Sequence, residues 1–273
     1  MKAIIIGAGR GRRLGAFTED VPKPLVPILG RPILDHILHA LADSGLTATQ
    51  TVFICGYRGD VIRARHPELT FVENRNWAHN NILLSLLCAR EHLQDGFVAT
   101  YADIVYRPEA VQRALASPHD ITLVCDRAWR RRYAGRTEHP ESDAEKVVFD
   151  GAGRITALSR TLRPEAATGE FIGVLRMTAA GAGRFLAAFD DQRATHRDED
   201  PFHEGRTFGR AYLIDALAKM LAAGTPIHAA TVDGGYMEID TPQDAGLAAA
   251  WWDDDAAPSA TATRVVDEVT SES

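Results

Sequence analysis

The stretch AIIIGAGRGRR, residues 3–13, decides the fold class of this chain. Its isoleucines favour a short buried strand, and the glycines that follow stop the strand in a turn. In a parallel sheet such a turn lies at the carboxyl edge. There its backbone N–H groups, which no side chains obstruct, form a cradle for an anion. The stretch therefore predicts an α/β fold with an anion site close to its first strand.

The remainder of the chain alternates strand and helix patterns, as a doubly wound sheet does. We predict strands at 51–55, 69–72, 96–101 and 121–125 and helices at 32–43, 60–65, 82–92 and 108–116. Shorter strands at 146–149 and 155–158 lie in a small inserted lobe, about 126–170. A strand (171–175), a helix (178–189), a solvated loop (190–206), a helix (212–223), a strand (227–232) and a helix (241–252) follow. This order predicts a Rossmann-like mixed central sheet flanked by helices in one domain, residues 1–252, and a disordered acidic tail, 253–273.

The distribution of charge separates the start of the chain from its end. The 273 residues carry 30 Lys and Arg against 37 Asp and Glu, a net charge of −7, which argues against a general nucleic-acid binder. Residues 253–273 hold six acidic side chains and one arginine, so most of the acidity lies in the tail. Residues 1–31, by contrast, hold six cations and two acids (Lys2, Arg10, Arg12, Arg13, Lys23, Arg31; Glu19, Asp20). The region around the glycine turn is therefore locally positive.

The sequence also gives expectations about the compartment. No apolar run approaches the roughly 18–20 residues of a membrane span, and the first residues do not resemble a signal peptide. Cys55, Cys88 and Cys125 are odd in number and embedded in apolar runs, which predicts buried thiols in a reducing environment. We expect a cytoplasmic protein with no membrane partner.

Two common phosphate-binding motifs do not fit the glycine turn. A P-loop needs a Lys and a hydroxyl after its last glycine, and a dinucleotide fingerprint needs a third glycine where this chain has Arg12 or Leu14. The pattern that the sequence does contain is Gly9-x-Gly11-x-Arg13, followed by Pro-Lys-Pro-Leu at 22–25. Positive charge on a glycine turn suits a triphosphate. The alternative is that the arginines are solvated and Pro-Lys-Pro is a stiff loop.

Together, GAGRGRRL (7–14) and PKPL (22–25) resemble the signature of the nucleotidyltransferases that make sugar nucleotides and CDP-alcohols. The resemblance implies the nucleotide-diphospho-sugar transferase fold. It implies that Arg13 and Lys23 are catalytic, holding the triphosphate and offsetting charge at the α-phosphorus, beside Ala8, Gly9 and Gly11. One departure is Gly7, where many members have alanine.

The resemblance continues at two aspartates near predicted strand ends. Asp103 follows Ala102, and Asp240 lies in EIDTP, residues 238–242; in the family such carboxylates bind Mg²⁺. One or two carboxylates suffice, because Mg²⁺ keeps much of its shell as water and phosphate oxygen. For Asp240 the alternative is an ordinary helix cap before Thr241-Pro242.

A longer segment resembles one group of enzymes within this family. ENRNWAHNNILLSL, residues 73–86, resembles a segment of bacterial choline-phosphate cytidylyltransferases and of phosphonate cytidylyltransferases. It implies CTP as the nucleotide, with Gly56, Asn80, Asn81 and Ser85 near it. The two asparagines could equally cap the following helix.

The sequence says less about the molecule that receives the nucleotidyl group, which we call the acceptor. A quaternary ammonium would need an aromatic box with a carboxylate, for which Trp77, Trp129, Tyr133, Tyr236 and Glu170 are available, although aromatic residues more often pack. A phosphonate or sugar phosphate would need cations, which Lys146 or the arginines 127, 130–132 and 136 could supply. We expect that arginine cluster to be a solvated flap or a subunit contact, as in a homodimer. The predicted acceptor residues are Trp77, Lys146, Glu170 and Glu238.

The sequence thus predicts transfer of a cytidylyl group from CTP to a small phosphate or phosphonate, with release of pyrophosphate. Two alternatives stay open. The chain could be a sugar-1-phosphate or cyclitol-phosphate nucleotidyltransferase that uses another NTP, or a catalytically idle nucleotide-binding regulatory subunit.

Overall fold

The computed structural model describes residues 1–254 as a mixed sheet with helices on both faces. Its helices are α1 (Ile33–Ala42), α2 (Gly59–Arg65), α3 (Ile82–Cys88), α4 (Pro108–Ala116), α5 (Ala179–Thr195), α6 (Leu213–Ala222) and α7 (Pro242–Asp254). Its strands are β1 (Lys2–Ile6), β2 (Pro27–Ile28), β3 (Arg31–Pro32), β4 (Thr51–Cys55), β5 (Thr70–Glu73), β6 (Phe97–Tyr101), β7 (Ile104–Tyr106), β8 (Ile121–Asp126), β9 (Lys146–Phe149), β10 (Ile155–Ser159), β11 (Gly169–Met177), β12 (Pro201–His203), β13 (Arg206–Thr207), β14 (His228–Val232) and β15 (Tyr236–Glu238).

The main sheet has nine strands and mixed direction. Strands β6, β1, β4 and β5 lie parallel in that order, and β11 joins β6 antiparallel. Strand β8 runs antiparallel to β11 and parallel to β14. The carboxyl ends of β1, β4 and β6 therefore meet at one edge, where loops can form a site. The predicted α/β fold with a mixed central sheet is confirmed.

The first strand is buried on both faces because its side chains alternate between two apolar cores. Ala3 and Ile5 pack in the core that includes side chains of α1 and α4, whereas Ile4 and Ile6 pack in the core that includes side chains of α3 and α6. Full burial of one such side chain contributes about 1.5–3 kcal/mol. The glycine turn after β1 is therefore anchored to a rigid element.

The segment 126–170 is built into the main sheet. Strands β9 and β10 pair antiparallel with each other, and β9 also pairs with the first residues of β11. This hairpin therefore extends the edge of the sheet, and the acceptor-binding role of the segment stays a prediction.

Three local expectations were wrong. The predicted loop 190–206 instead contains the end of α5 and the β12–β13 hairpin, because the buried ring of Phe202 packs on Phe208 with ring centroids 5.0 Å apart. Cys88 is exposed, since it lies on the outer face of α3, whereas Cys55 and Cys125 are buried. The last helix continues past residue 252 to Asp254, and the rest of the predicted tail lies outside the described residues.

Within residues 1–254, every helix is too short or too polar to cross a lipid bilayer.

Candidate active site

The glycine turn after β1 brings the chain close to Lys23. Gly11 has a left-handed φ of +72°, and a Cβ at this position would lie 2.6 Å from Cδ of Lys23. Any other residue would therefore be strained and would push the lysine away. Lys23 is 6% exposed and opens a short 3₁₀ turn between two prolines. Its ammonium group is consequently held against the turn.

The two predicted metal carboxylates meet because of a short antiparallel ladder. Strands β7 and β15 pair with Glu238 opposite Ile104, and the N–H of Ile239 donates to the carbonyl of Asp103 at 2.9 Å. Asp103 lies just before β7 and Asp240 just after β15. The ladder therefore fixes the two aspartates side by side at the edge where β1 and β6 end.

A compact cluster of opposite charges links these four residues. The ammonium of Lys23 contacts Asp103 at 2.9 Å and also Asp240, while the guanidinium of Arg13 contacts Asp240 and, at 3.1 Å, Asp143. Burial alone would lower the pKa of Lys23, but Asp103 and Asp240 outweigh it and raise that pKa. Burial would likewise raise the pKa of Asp240, but Lys23 and Arg13 hold it well below its usual value. Lys23 is therefore protonated and Asp240 ionised at neutral pH.

The aspartate pair fits a divalent cation. Oδ1 of Asp103 is buried and has no hydrogen-bond partner within residues 1–254, so it is free to take a further ligand. Asp240 offers a second carboxylate, and hard cations such as Mg²⁺ prefer oxygen ligands of this kind. In the structure the Lys23 ammonium lies between the two carboxylates and supplies positive charge there.

Asp240 is held by a buried network that the sequence analysis missed. The carboxylate of Asp244 accepts hydrogen bonds from the backbone N–H groups of Asp240 and Thr241, both at 2.9 Å. The guanidinium of Arg136 donates to the other oxygen of Asp244 at 2.8 Å, and His139 lies 3.3 Å from Glu238. Thr241 and Asp244 form a capping box at the start of α7, a signal present in the sequence.

Two neighbouring hollows share Arg13 and the aspartate pair. The first, which we call the phosphate cleft, has about 230 Å³ and is lined by the glycine turn, Arg13, Lys23, Asp103 and Asp240. The second, the acceptor cavity, has about 170 Å³ and is lined by aromatic and acidic side chains as well as the same aspartates (Tyr101, Tyr236, Glu145, Glu170, Glu238). A group in the cavity can therefore meet a phosphate in the cleft at the aspartates.

The acceptor cavity is acidic and deeply buried. Oε1 of Glu170 accepts a hydrogen bond from Tyr133 at 2.5 Å, whereas its buried Oε2 has no partner within the described chain. Burial raises the pKa of Glu170 to about 8 and that of Glu145 to about 7. Tyr101 donates to Glu145 at 3.2 Å. These carboxyl groups would gain from a cationic ligand.

The predicted nucleotide-binding asparagines are engaged within the fold. Asn80 exchanges two hydrogen bonds with the buried Asn74 at 2.9 and 3.1 Å, and Asn74 also donates to Ser85 at 2.8 Å. Oδ1 of Asn81 accepts from the N–H of Ile82 at 2.9 Å, as a helix cap does, while Asn81 also lines the acceptor cavity. Roles of Asn80, Asn81 and Ser85 in nucleotide binding stay predictions.

Gly56 and Trp77 lie beside the glycine turn. A Cβ at Gly56 would lie 2.6 Å from the carbonyl oxygen of Ala8 and 2.7 Å from Trp77, so only glycine allows this contact. The indole of Trp77 packs on Tyr57 with ring centroids 5.5 Å apart. Trp77 therefore lies beside the glycine turn, and the residues that line the phosphate cleft and the acceptor cavity do not include it.

The basic residues of segment 126–170 have separate environments. Lys146 is 1% exposed, and its ammonium donates to the carbonyls of Glu141 and Ala144 at 3.2 and 3.1 Å. The expectation that the arginine cluster is solvated was wrong for Arg132 and Arg136. Both are buried, because Arg132 donates to the carbonyl of Trp251 and Arg136 pairs with Asp244 below the aspartate pair.

The sequence is similar to those of known nucleotidyltransferases. The family model described as the MobA-like NTP transferase domain matches residues 3–193. The CTP:phosphoglutamine cytidylyltransferase of Campylobacter jejuni is 24% identical over 253 residues, covering 89% of this chain and 97% of that protein. The CMP-5'-(3-aminopropyl)phosphonate synthase of Streptomyces rubellomurinus is 27% identical over 264 residues. That alignment covers 89% of this chain but only 37% of the longer synthase.

Solved structures show the same fold. The CTP:phosphocholine cytidylyltransferase of Streptococcus pneumoniae superposes with a TM-score of 0.64 at 20% identity, covering 89% of this chain and 95% of that one. The inositol-1-phosphate CTP transferase of T. maritima superposes with a TM-score of 0.67 at 20% identity, covering 89% and 90%.

Proposed function

The chain belongs to the MobA-like NTP transferase domain family, and from this premise we propose that it is a cytidylyltransferase. It transfers the cytidylyl group of CTP to an oxygen of a small phosphonate or phosphate that also carries an ammonium group, and releases pyrophosphate. The assignment of CTP is supported by the names of the relatives, which are cytidylyltransferases or make a CMP-phosphonate.

One observation carries the choice of acceptor. The buried Oε2 of Glu170 has no partner within residues 1–254, in a cavity lined by tyrosines that opens onto Asp103 and Asp240. Without a ligand the buried Glu170 holds its proton at neutral pH, because burial raises its pKa to about 8; an ammonium group beside Oε2 would favour the ionised form and donate to it. An aminoalkyl phosphonate or phosphate places such a group a few bonds from its reacting oxygen. This arrangement fits an acceptor that carries an ammonium group better than the phosphate of an uncharged sugar.

The reaction follows from the placement of charge. An acceptor oxygen attacks the α-phosphorus of CTP, the new P–O bond forms, and the bond to the β-phosphate breaks with its electron pair leaving on pyrophosphate. The phosphonate or phosphate oxygen is already an anion, so no base is required. Lys23 and Arg13 neutralise the triphosphate in the phosphate cleft and stabilise charge that develops during transfer. Asp103 and Asp240 would hold Mg²⁺, which when bound supplies further positive charge to the phosphates.

A matrix of nucleotides and acceptors tests the proposal. The four NTPs are each combined with 2-aminoethylphosphonate, phosphoethanolamine, phosphocholine, hydroxyethylphosphonate, glucose 1-phosphate and inositol 1-phosphate, and pyrophosphate release is measured. We expect turnover with CTP and the two primary-amine acceptors, 2-aminoethylphosphonate and phosphoethanolamine, and weaker turnover with phosphocholine, whose quaternary nitrogen has no N–H to donate. Preference for a sugar or cyclitol phosphate, or for another NTP, would replace this assignment. Nucleotide-dependent thermal stabilisation without turnover of any acceptor would indicate an idle regulatory subunit.

Glu170→Gln is expected to lower kcat/KM for 2-aminoethylphosphonate by about 10–100-fold, because a hydrogen bond to a charged group contributes roughly 1.5–3 kcal/mol. Hydroxyethylphosphonate lacks the ammonium, so its weaker turnover should stay unchanged. Glu109→Gln, on the exposed surface of α4, is the matched control. An equal loss with both acceptors would show that Glu170 does not contact the nitrogen.

Glu170→Gln is also expected to alter the pH dependence of the stability of the folded protein. The folded-state pKa of Glu170 is raised to about 8, so the folded protein holds this proton while the unfolded chain releases it above roughly pH 4.5. Stability from this group is present at low pH and is lost as pH rises towards 8. The groups that influence its pKa include Tyr133, Asp126, Arg136 and Glu145. Glu170→Gln should therefore match the wild-type Tm at pH 4 and exceed it at pH 8.5, and a constant Tm difference would contradict this assignment.

A further inference from the structure

A third hollow, which we call the basic pocket, adjoins the acceptor cavity. It has about 720 Å³, opens widely to solvent and is lined chiefly by cations and hydroxyl groups (Lys146, Arg160, Thr161, Arg163, Arg206, Tyr212). Its lining does not include Asp103 or Asp240, which border the phosphate cleft and the acceptor cavity. The basic pocket is thus distinct from the place where the phosphates react.

Two of its four cations, Lys146 and Arg163, make no direct ion pair with a carboxylate of residues 1–254. Arg206 pairs with Asp215 and Glu204 at 2.5 and 2.9 Å, and Arg160 pairs with Asp143 at 3.1 Å. Lys146 donates to two backbone carbonyls, with Glu170, Glu204 and Glu141 acting on it only at longer range. Arg163 is exposed at the rim of the pocket and makes no ion pair with a described residue up to 254. A buried ammonium without a direct ion-pair partner is costly, so an anionic ligand beside Lys146 and Arg163 would be stabilised.

The aromatic ring of Tyr212 holds two of the guanidinium groups. Arg160 lies 4.7 Å and Arg206 lies 4.8 Å from the ring centroid, and both also have carboxylate partners. Their positions are therefore fixed before a ligand arrives. A guanidinium presents donors in a planar fork that matches a carboxylate or a phosphate.

The basic pocket is continuous with the acceptor cavity. Asp143, Arg160 and Tyr212 line both of them, and Asp143 bridges Arg160 to Arg13 of the phosphate cleft, each at 3.1 Å. A molecule whose phosphonate lies at the aspartate pair can therefore extend past Arg160 into the basic pocket. Because the reacting phosphates lie at that pair, the pocket is left for a different anionic group.

We infer that the basic pocket binds a second anionic group of the acceptor, a carboxylate or a phosphate, at the end remote from the reacting oxygen. This inference rests on the proposed function and narrows its substrate class. The acceptor then carries a reacting phosphonate or phosphate, an ammonium near Glu170 and a further anion near Arg163.

Matched acceptors that differ in one carboxylate test the inference. Phosphoserine is phosphoethanolamine with a carboxylate added, and 2-amino-3-phosphonopropionate is related in the same way to 2-aminoethylphosphonate. We expect kcat/KM with CTP to be about tenfold higher for the carboxylate-bearing member, as one charge-assisted contact provides. Arg163→Ala should remove this preference without changing the shorter acceptors, and Arg163→Lys should retain part of it. Arg154→Ala, an exposed arginine of the β9–β10 hairpin outside the pocket, is the matched control.

Each other outcome is informative. Equal use of both members, or a loss in Arg163→Ala that affects both alike, overturns the inference. If added acetate or phosphate changes turnover of 2-aminoethylphosphonate and Arg163→Ala abolishes that effect, the pocket binds a separate anion and the acceptor assignment is wrong. If no acceptor is turned over, the proposed function fails by itself. Calorimetric binding of phosphoserine against phosphoethanolamine then still decides whether the pocket prefers the added carboxylate in an Arg163-dependent way.

Discussion

Lys23→Met is expected to lower kcat for cytidylyl transfer by about 10²–10³-fold, the usual effect of removing one preorganised group that stabilises developing charge. The ammonium of Lys23 borders the phosphate cleft and is fixed there by Asp103, by Asp240 and by the close approach of Gly11. Methionine retains most of the side-chain volume but none of the charge. Pyrophosphate release at saturating CTP and acceptor measures the loss.

The same variant is expected to bind Mn²⁺ more tightly in the absence of nucleotide. In the structure the Lys23 ammonium lies between the two aspartates, so a divalent cation competes with it for their oxygens. Removing that competitor should lower the Mn²⁺ dissociation constant by about tenfold, or ~1.4 kcal/mol. Free Mn²⁺ is measured by electron paramagnetic resonance, with Lys219→Met on α6 as the control.

If Lys23→Met keeps the wild-type kcat, Lys23 is not a catalytic residue. Unchanged Mn²⁺ affinity would show that Lys23 and the cation do not compete. Because Lys23 is buried between carboxylates, Lys23→Met should also unfold at a lower temperature at pH 7. Millimolar Mn²⁺ should restore part of the lost stability, since it supplies the missing positive charge.

Asp103→Asn is expected to lower kcat/KM by roughly 10³-fold at saturating Mg²⁺. The loss is large because a bound metal contributes several kcal/mol of charge stabilisation. Asp103 has a free, buried Oδ1, whereas Asp240 is also tied to Arg13. Lys23 keeps its ion pair with Asp240 in this variant, so the fold should stay intact, with a Tm only modestly below that of the wild type. Mn²⁺ binding in the presence of CTP should weaken in parallel with turnover.

Asp233→Asn is the matched control, since Asp233 pairs with Arg127 on the exposed surface. It should keep full activity and metal binding. Full turnover of a folded Asp103→Asn variant would contradict the metal assignment. A strong fall in Tm, by contrast, would indicate that Asp103 serves chiefly as the partner of Lys23.

The local parts of the site were predictable from the sequence. A β-branched strand that ends in glycines, a lysine between prolines and an aspartate after a strand are all short-range patterns, and the structure places Gly11, Lys23 and Asp103 along one cleft. The polar pattern of residues 190–206 misled the prediction, because one buried phenylalanine in a polar segment gives little periodicity. The solvated flap was likewise expected from charge alone, yet Arg136 is buried by a carboxylate of α7.

The sequence by itself therefore determined the fold class, the glycine turn after the first strand and the types of residues that line the phosphate cleft, because strand burial and turn geometry depend on neighbours along the chain. The tertiary structure decided which charges face one another. Pairing of β7 with β15 brings Asp103 beside Asp240, and β11 carries Glu170 into a cavity with Tyr236. Only the fold shows that Asn80 is bonded to Asn74 and that Lys146 lacks a carboxylate partner within residues 1–254. These contacts join segments distant in sequence, and electrostatic energy depends on their separation in space.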